Sequence, residues 1–125
     1  MTQEDKELLL KDLCARLPYR VKVNTIQGDF TIIGLTTERV FTTCETEGCH
    51  NDFPIDCIKP YLFPLSSMTE EQTKELINLI NTGQNNNNEF MRSLCRIEFY
   101  HKYHFDYMGL IPMGLAIDAT GKNIY

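Results

Sequence analysis

Apolar positions along this chain change period twice. Between Thr2 and Pro18, Leu9, Leu10, Leu13 and Leu17 recur at near-helical spacing, with Lys6, Glu7, Lys11 and Asp12 set for the solvent side. This predicts an amphipathic helix over residues 3 to 17, capped by Thr2, started by acidic Glu4 and Asp5 and stopped by Pro18. From Tyr19 to Leu65 the period falls to two. Val21 and Val23 alternate with Lys22 and Asn24 before Gln27 and Gly28 break the run, and Arg39 to Cys44 alternates again. Phe30 to Leu35 is apolar on both faces, so this strand is expected to be central and packed on both sides. Glu45 to Gly48 has the length of a hairpin connection, after which Cys49 to Phe53 returns as a fourth strand. Pro54 makes Ile55 to Ile58 a short edge strand or a tight turn. The segment Lys59 to Leu65, bracketed by Pro60 and Pro64, predicts an extended strap rather than a strand.

The helical period then resumes. Ser67 with Glu70, or Thr69 with Gln72, offers a capping box ahead of Leu76, Ile77, Leu79 and Ile80, predicting a helix over residues 69 to 81. Asn85 to Asn88 form a polar linker. From Asn88 a third helix is predicted over residues 89 to 103. Phe90, Met91, Leu94, Cys95, Ile97 and Phe99 or Tyr100 form its broad apolar side, and Arg92, Arg96 and Lys102 face outward. The two glycines and the proline between His104 and Leu115 suit turns packed on the core, Leu115 to Ile117 a last short strand, and Gly121 to Tyr125 a frayed end. These elements make an α+β chain: a small SH3-like or partly closed antiparallel β-barrel flanked by three helices. One domain over residues 1–125 is expected, with an N-terminal helix in 1–18, the barrel-like segment in 19–65 and a helical segment in 66–125.

Composition narrows the function classes. With 42% hydrophobic residues in 125, the chain can bury one real core and has little left for a second. Seventeen acidic against twelve basic residues give −5, and no cluster of Lys and Arg marks a phosphate-tracking surface, which disfavours nucleic acid as a partner. No apolar run approaches the roughly 20 residues of a membrane span, and the opening MTQEDKE is acidic where a signal peptide is basic and then apolar. A cytoplasmic protein without membrane association is expected.

Two residue sets have the chemistry of a metal or catalytic site. Cys44, Cys49, His50 and Cys57 are zinc-type ligands, but neighbouring strand residues point to opposite faces, and the spacing lacks the paired two-to-four-residue knuckles of structural zinc sites. Five cysteines, an odd number, in a chain long enough to fold without staples read as reduced thiols. His101 and His104 sit three residues apart with Asp106 just beyond, a spacing that suits a shared metal ion. Imidazoles in a last helical turn are equally explained by the helix dipole. No nucleophile elbow, HExxH or phosphate-cradling glycine loop is present, so no catalytic residue and no cofactor is assigned. The favoured reading is a non-enzymatic module that binds another protein, with Tyr19, Tyr61 and Phe63 near the barrel edge as its aromatic contacts. The alternatives are a small metal-dependent hydrolase using His101, His104 and Asp106, or a weak nucleic-acid-binding accessory protein.

The segments LLLKDLCARLPYRVKV, IDCIKPYLFPLSSMTEEQ and EFYHKYHFDYMGLIPMGLAIDA together resemble short uncharacterised proteins encoded in gut Bacteroides and related bacteria, and in their phages or mobile elements. The likeness covers nearly the whole chain outside the asparagine run. It implies a bacterial or phage origin and a small accessory role in the cytoplasm, and it transfers no catalytic or binding residue.

Overall fold

In a computed structural model, which describes residues 1–44, 50–82 and 88–125, the chain is α+β, with three α-helices and a seven-stranded, mostly antiparallel sheet. The first helix, α1 (Gln3–Arg16), starts at a capping box in which Thr2 and Asp5 satisfy each other's backbone N–H groups. A single 3₁₀ turn at Leu17–Tyr19 ends it, and Arg20 in the left-handed region redirects the chain into the sheet. Strands β1 (Lys22–Thr25), β2 (Gly28–Leu35), β3 (Arg39–Thr43) and β4 (His50–Pro54) form an antiparallel meander in sequence order. The predicted hairpin connection at residues 45–48, together with Cys49, lies outside the described residues.

The turn at residues 55–57 is a 3₁₀ turn, and beyond it two expectations are overturned. Residues 59 to 65 are no strap: Lys59–Pro64 is β5, which pairs antiparallel with β1 and parallel with two short strands, β6 (Phe105–Asp106) and β7 (Ile117–Asp118). Pro60 and Pro64 cost it little because they sit toward its ends. The ladder runs through the middle, where Phe63 N–H donates to His104 O at 2.8 Å and Leu62 O accepts Ala119 N–H at 2.8 Å. Strand order is β4-β3-β2-β1-β5-β6 with β7 also on β5, and the sheet is open among the described residues. Nor is β2 packed on both faces. It lies between β1 and β3 and buries Ile32, but Ile33 is 51% exposed, at a register shift between Ile32 and Gly34.

One core lies between α1 and the sheet. Leu9 and Leu13 meet Val21, Val23, Ile32, Val40, Phe53 and Leu62, and the turns after β6 add Leu110 and Leu115. Asp12, expected at the solvent side of α1, is buried instead, for a reason that belongs to the site below. The other two helices, α2 (Glu70–Asn81) and α3 (Glu89–Lys102), pack on each other. The Thr69–Gln72 pair provides the capping box of α2, and Ser67 instead donates its hydroxyl to Pro64 O at 2.7 Å. The C-terminal residues are docked rather than frayed. Tyr125 Oη donates to Tyr61 O and accepts from Lys22 N–H, both at 2.8 Å, and Lys22 Nζ donates to Ile124 O at 2.9 Å.

Candidate functional site

At the junction of α1, α3 and β6 the fold encloses a charged pair. Arg16 is fully buried, with Nε on Asp12 Oδ2 at 2.7 Å, Nη2 on the Phe105 carbonyl, and its guanidinium 5.4 Å from the centre of the Tyr107 ring. The i,i+4 spacing on α1 puts the two side chains on one face, and the distant Phe105 carbonyl draws that face inward. Loss of hydration raises the Asp12 carboxyl above the usual range; the opposing pull of Arg16 does not fully offset it, and Asp106 adds to the rise. Asp106 itself accepts Leu110 N–H and Ile111 N–H, one on each carboxylate oxygen and both at 2.9 Å, and so fixes the turn that follows β6.

The two histidines of the predicted catalytic set are held apart from this carboxylate. His101 is buried, its Nε2 lies 2.7 Å from Tyr107 Oη, and its ring lies against Tyr19 and Tyr107. Burial, reinforced by the Arg16 charge, pulls its pKa down to about 4. His104 takes a left-handed backbone (φ 60°) and stacks on Tyr125 with ring centres 3.7 Å apart. Burial, with Arg16 and Lys22 behind it, also lowers its pKa to about 4. Both imidazoles are therefore neutral at physiological pH, and the helix dipole does not hold them as cations. No three His, Cys, Asp or Glu side chains converge as a metal site among the described residues. His101, His104 and Asp106 serve three separate structural arrangements. Of the thiols proposed as ligands, Cys44 follows β3, Cys57 is exposed in the 3₁₀ turn after β4, and Cys49 lies outside the described residues.

The aromatic trio also separates. Tyr61 is only 6% exposed and donates its hydroxyl to Asp29 at 2.7 Å, so it belongs to the interior. Tyr19 is half-buried against His101. Phe63, two residues beyond Tyr61 on β5, lies between Phe105 and Tyr125 in the wall of a groove of about 470 Å³. Tyr103, His104 and Lys102 line the same groove. At its rim Glu75 of α2 accepts Tyr103 Oη at 2.6 Å and Lys102 Nζ at 3.2 Å, which lowers its pKa and clamps α2 to the end of α3.

Exposed apolar side chains also stand on the α2–α3 pair. No residue of α2 is buried, and Ile77 and Leu79 are 52% and 45% exposed; on α3, Phe90 is 70% exposed, with Leu94 and Ile97 on the same stripe. The sequence reading placed these residues on one broad inward side, but the residues themselves hold a contrary signal. Phe90, Leu94, Ile97 and His101 are spaced 4, 3 and 4, whereas Phe99 stands nine residues from Phe90, about two and a half turns away and so on the opposite side. Phe99 takes the core against Phe105, and the Phe90 stripe is left outside except at its His101 end. No helix is long and apolar enough to cross a membrane among the described residues. No family model, curated protein or solved structure matches this chain.

Proposed function

We propose that this chain is a non-enzymatic protein-interaction module of bacterial or phage mobile-element origin, acting in the cytoplasm through the α2–α3 hairpin. The observation that carries the reading is the stripe Phe90, Leu94 and Ile97, left open along α3. Isolated apolar side chains on a surface need no explanation, but three in successive turns along one face of α3 make a patch of the kind that marks an interaction site. The occupant we infer is an amphipathic helix of another protein, because a 4, 3 spacing presents the knobs and holes that a helix fits. The two helices carry both signs, Glu70, Glu71 and Glu98 with Lys74, and Glu89 paired to Arg92 and Arg96, while the chain as a whole carries −5. A helix with basic flanks is favoured by that charge, whereas a second copy is repelled. The sheet serves as the rigid mount. Its order, a four-strand meander, a 3₁₀ turn and a fifth strand returning to the first, supports the SH3-like reading in an opened form. The hydrolase alternative has its three residues engaged separately, and a nucleic-acid role gains no basic surface to support it.

The test is capture from a bacterial host lysate with the native chain and with a Phe90→Asp, Leu94→Asp double variant, followed by crosslink mapping of what is retained. A protein held through a basic amphipathic helix, lost with the double variant and weakened by salt, is the expected result. Retention that survives the double variant overturns the hairpin reading. A native chain that runs as a dimer, which the double variant dissolves, makes the occupant a second copy.

A further inference from the structure

The groove beside Phe63 has no part in the hairpin reading, and its lining is chemically selective. Five segments meet there: Phe63 of β5, Thr69 and Gln72 at the start of α2, Lys102 and Tyr103 at the end of α3, His104 with Phe105, and the turn at Thr120 and Gly121 under Tyr125. At about 470 Å³ it falls in the size range of small-molecule sites. Its walls are aromatic. Phe63 and Tyr125 lie with ring centres 5.9 Å apart, too close to admit a third ring between them, so a ligand ring would lie against this wall. Tyr125 as a residue is 41% exposed, with one face of its ring against His104.

The polar lining includes two side chains with hydrogen-bond donors to spare, Lys102 and Gln72. Among the described residues Lys102 is the only charged side chain in the lining, and the Glu75 carboxylate stands at the rim. Glu75 engages Lys102 Nζ through a single oxygen, so an ammonium with three hydrogens has donors to spare. Gln72 spends its carbonyl oxygen on Thr69 N–H, which leaves its amide hydrogens for a ligand. His104 contributes a second anomaly: a non-glycine residue held at φ 60°, with a buried Nδ1 that has no hydrogen-bond partner among the described residues. Backbone strain of this kind concentrates at ligand clamps and is kept only where the surroundings enforce it, here by the Tyr125 stack and the bond from Phe63 N–H to the His104 carbonyl.

We propose that this groove binds an aromatic carboxylic acid, its ring against Phe63 and Tyr125 and its carboxylate on Lys102 and the Gln72 amide. The same chemistry is offered by a free small acid and by an aromatic residue at the carboxyl end of a peptide. The chain contains no Trp, so an indole ligand can be followed by its own fluorescence. Indole-3-propionate represents the free acid and N-acetyltryptophan the peptide end, with indole-3-propionamide as the uncharged control. Saturable binding of at least one acid is expected, weakened about tenfold or more in the amide and in Lys102→Met, as the loss of a charge-assisted hydrogen bond requires. The tighter of the two acids identifies the source. Because Lys102 also helps to clamp α2, Gln72→Ala and Phe63→Ala provide independent checks, and both should weaken binding. Ile97→Asp on the hairpin should leave it unchanged. Equal binding of acid and amide, binding lost in Ile97→Asp but kept in Phe63→Ala, or no binding of either acid at millimolar concentration would overturn the proposal.

Discussion

Helices α1 and α3 have the same length, 14 residues, and each starts at a side-chain cap, yet they use their apolar residues in opposite ways. On α1, Leu9 and Leu13 are fully buried against the sheet. On α3 only the Phe99 side reaches the core, while Phe90, Leu94 and Ile97 stay open to solvent. Amphipathic spacing is thus sufficient to call a helix but says nothing about what covers its apolar face. A helix with two apolar sides can satisfy only one of them on a single core. The other is available to a partner.

The comparison can be broken most directly at the charged pair that anchors α1. Asp12→Asn leaves the Arg16 guanidinium buried without a counter-charge, and a loss of about 3–5 kcal/mol in urea unfolding is expected. A loss below about 1 kcal/mol would mean that the pair is solvated and that α1 is held by its leucines alone. Leu62→Ala, in the middle of β5, should cost about 3 kcal/mol through lost burial and a residual cavity. A neutral result would restore the strap reading of that segment.

Acidification tests the α3 base. His101 has an ordinary pKa of 6.5 when unfolded and about 4 when folded, so between these values the unfolded chain binds the extra proton. Stability is complete above pH 6.5 and falls as the pH drops toward 4, by about 3 kcal/mol for this residue. His104 acts in the same direction, whereas the raised Asp12 carboxyl opposes it. Urea unfolding at pH 7 and pH 4 should show the loss, and His101→Gln should shrink the difference by about that amount. An unchanged difference would mean that the imidazole is already hydrated in the fold. The smallest expected effect sharpens the contrast from the other side: Phe90→Ala should alter stability by no more than about 0.5 kcal/mol, as for any exposed site, because Phe90 has no core to leave. A cost of about 2 kcal/mol or more would put Phe90 inside the fold and remove the hairpin surface.

Local features were legible in the residues. The caps at Thr2, Thr69 and Asn88 and the bounds of the three helices follow from chemistry within a few residues. The four-strand meander follows from alternation and turns, and the thirteen-residue core cluster draws mostly on positions that alternation or helical spacing marks as apolar. Tertiary structure alone decided everything that depends on a distant partner. β5 is a strand because segments 42 and 56 residues further along the chain supply its parallel neighbours, which no local period encodes. Asp12 is interior because Arg16 finds the Phe105 carbonyl 89 residues away. Tyr61 is buried and Tyr125 docked because the end of the chain crosses back over β5 and β1. His101 and His104 are neutral because the fold removes their water and places Arg16 nearby, and spacing along the chain carries neither the desolvation nor the charge.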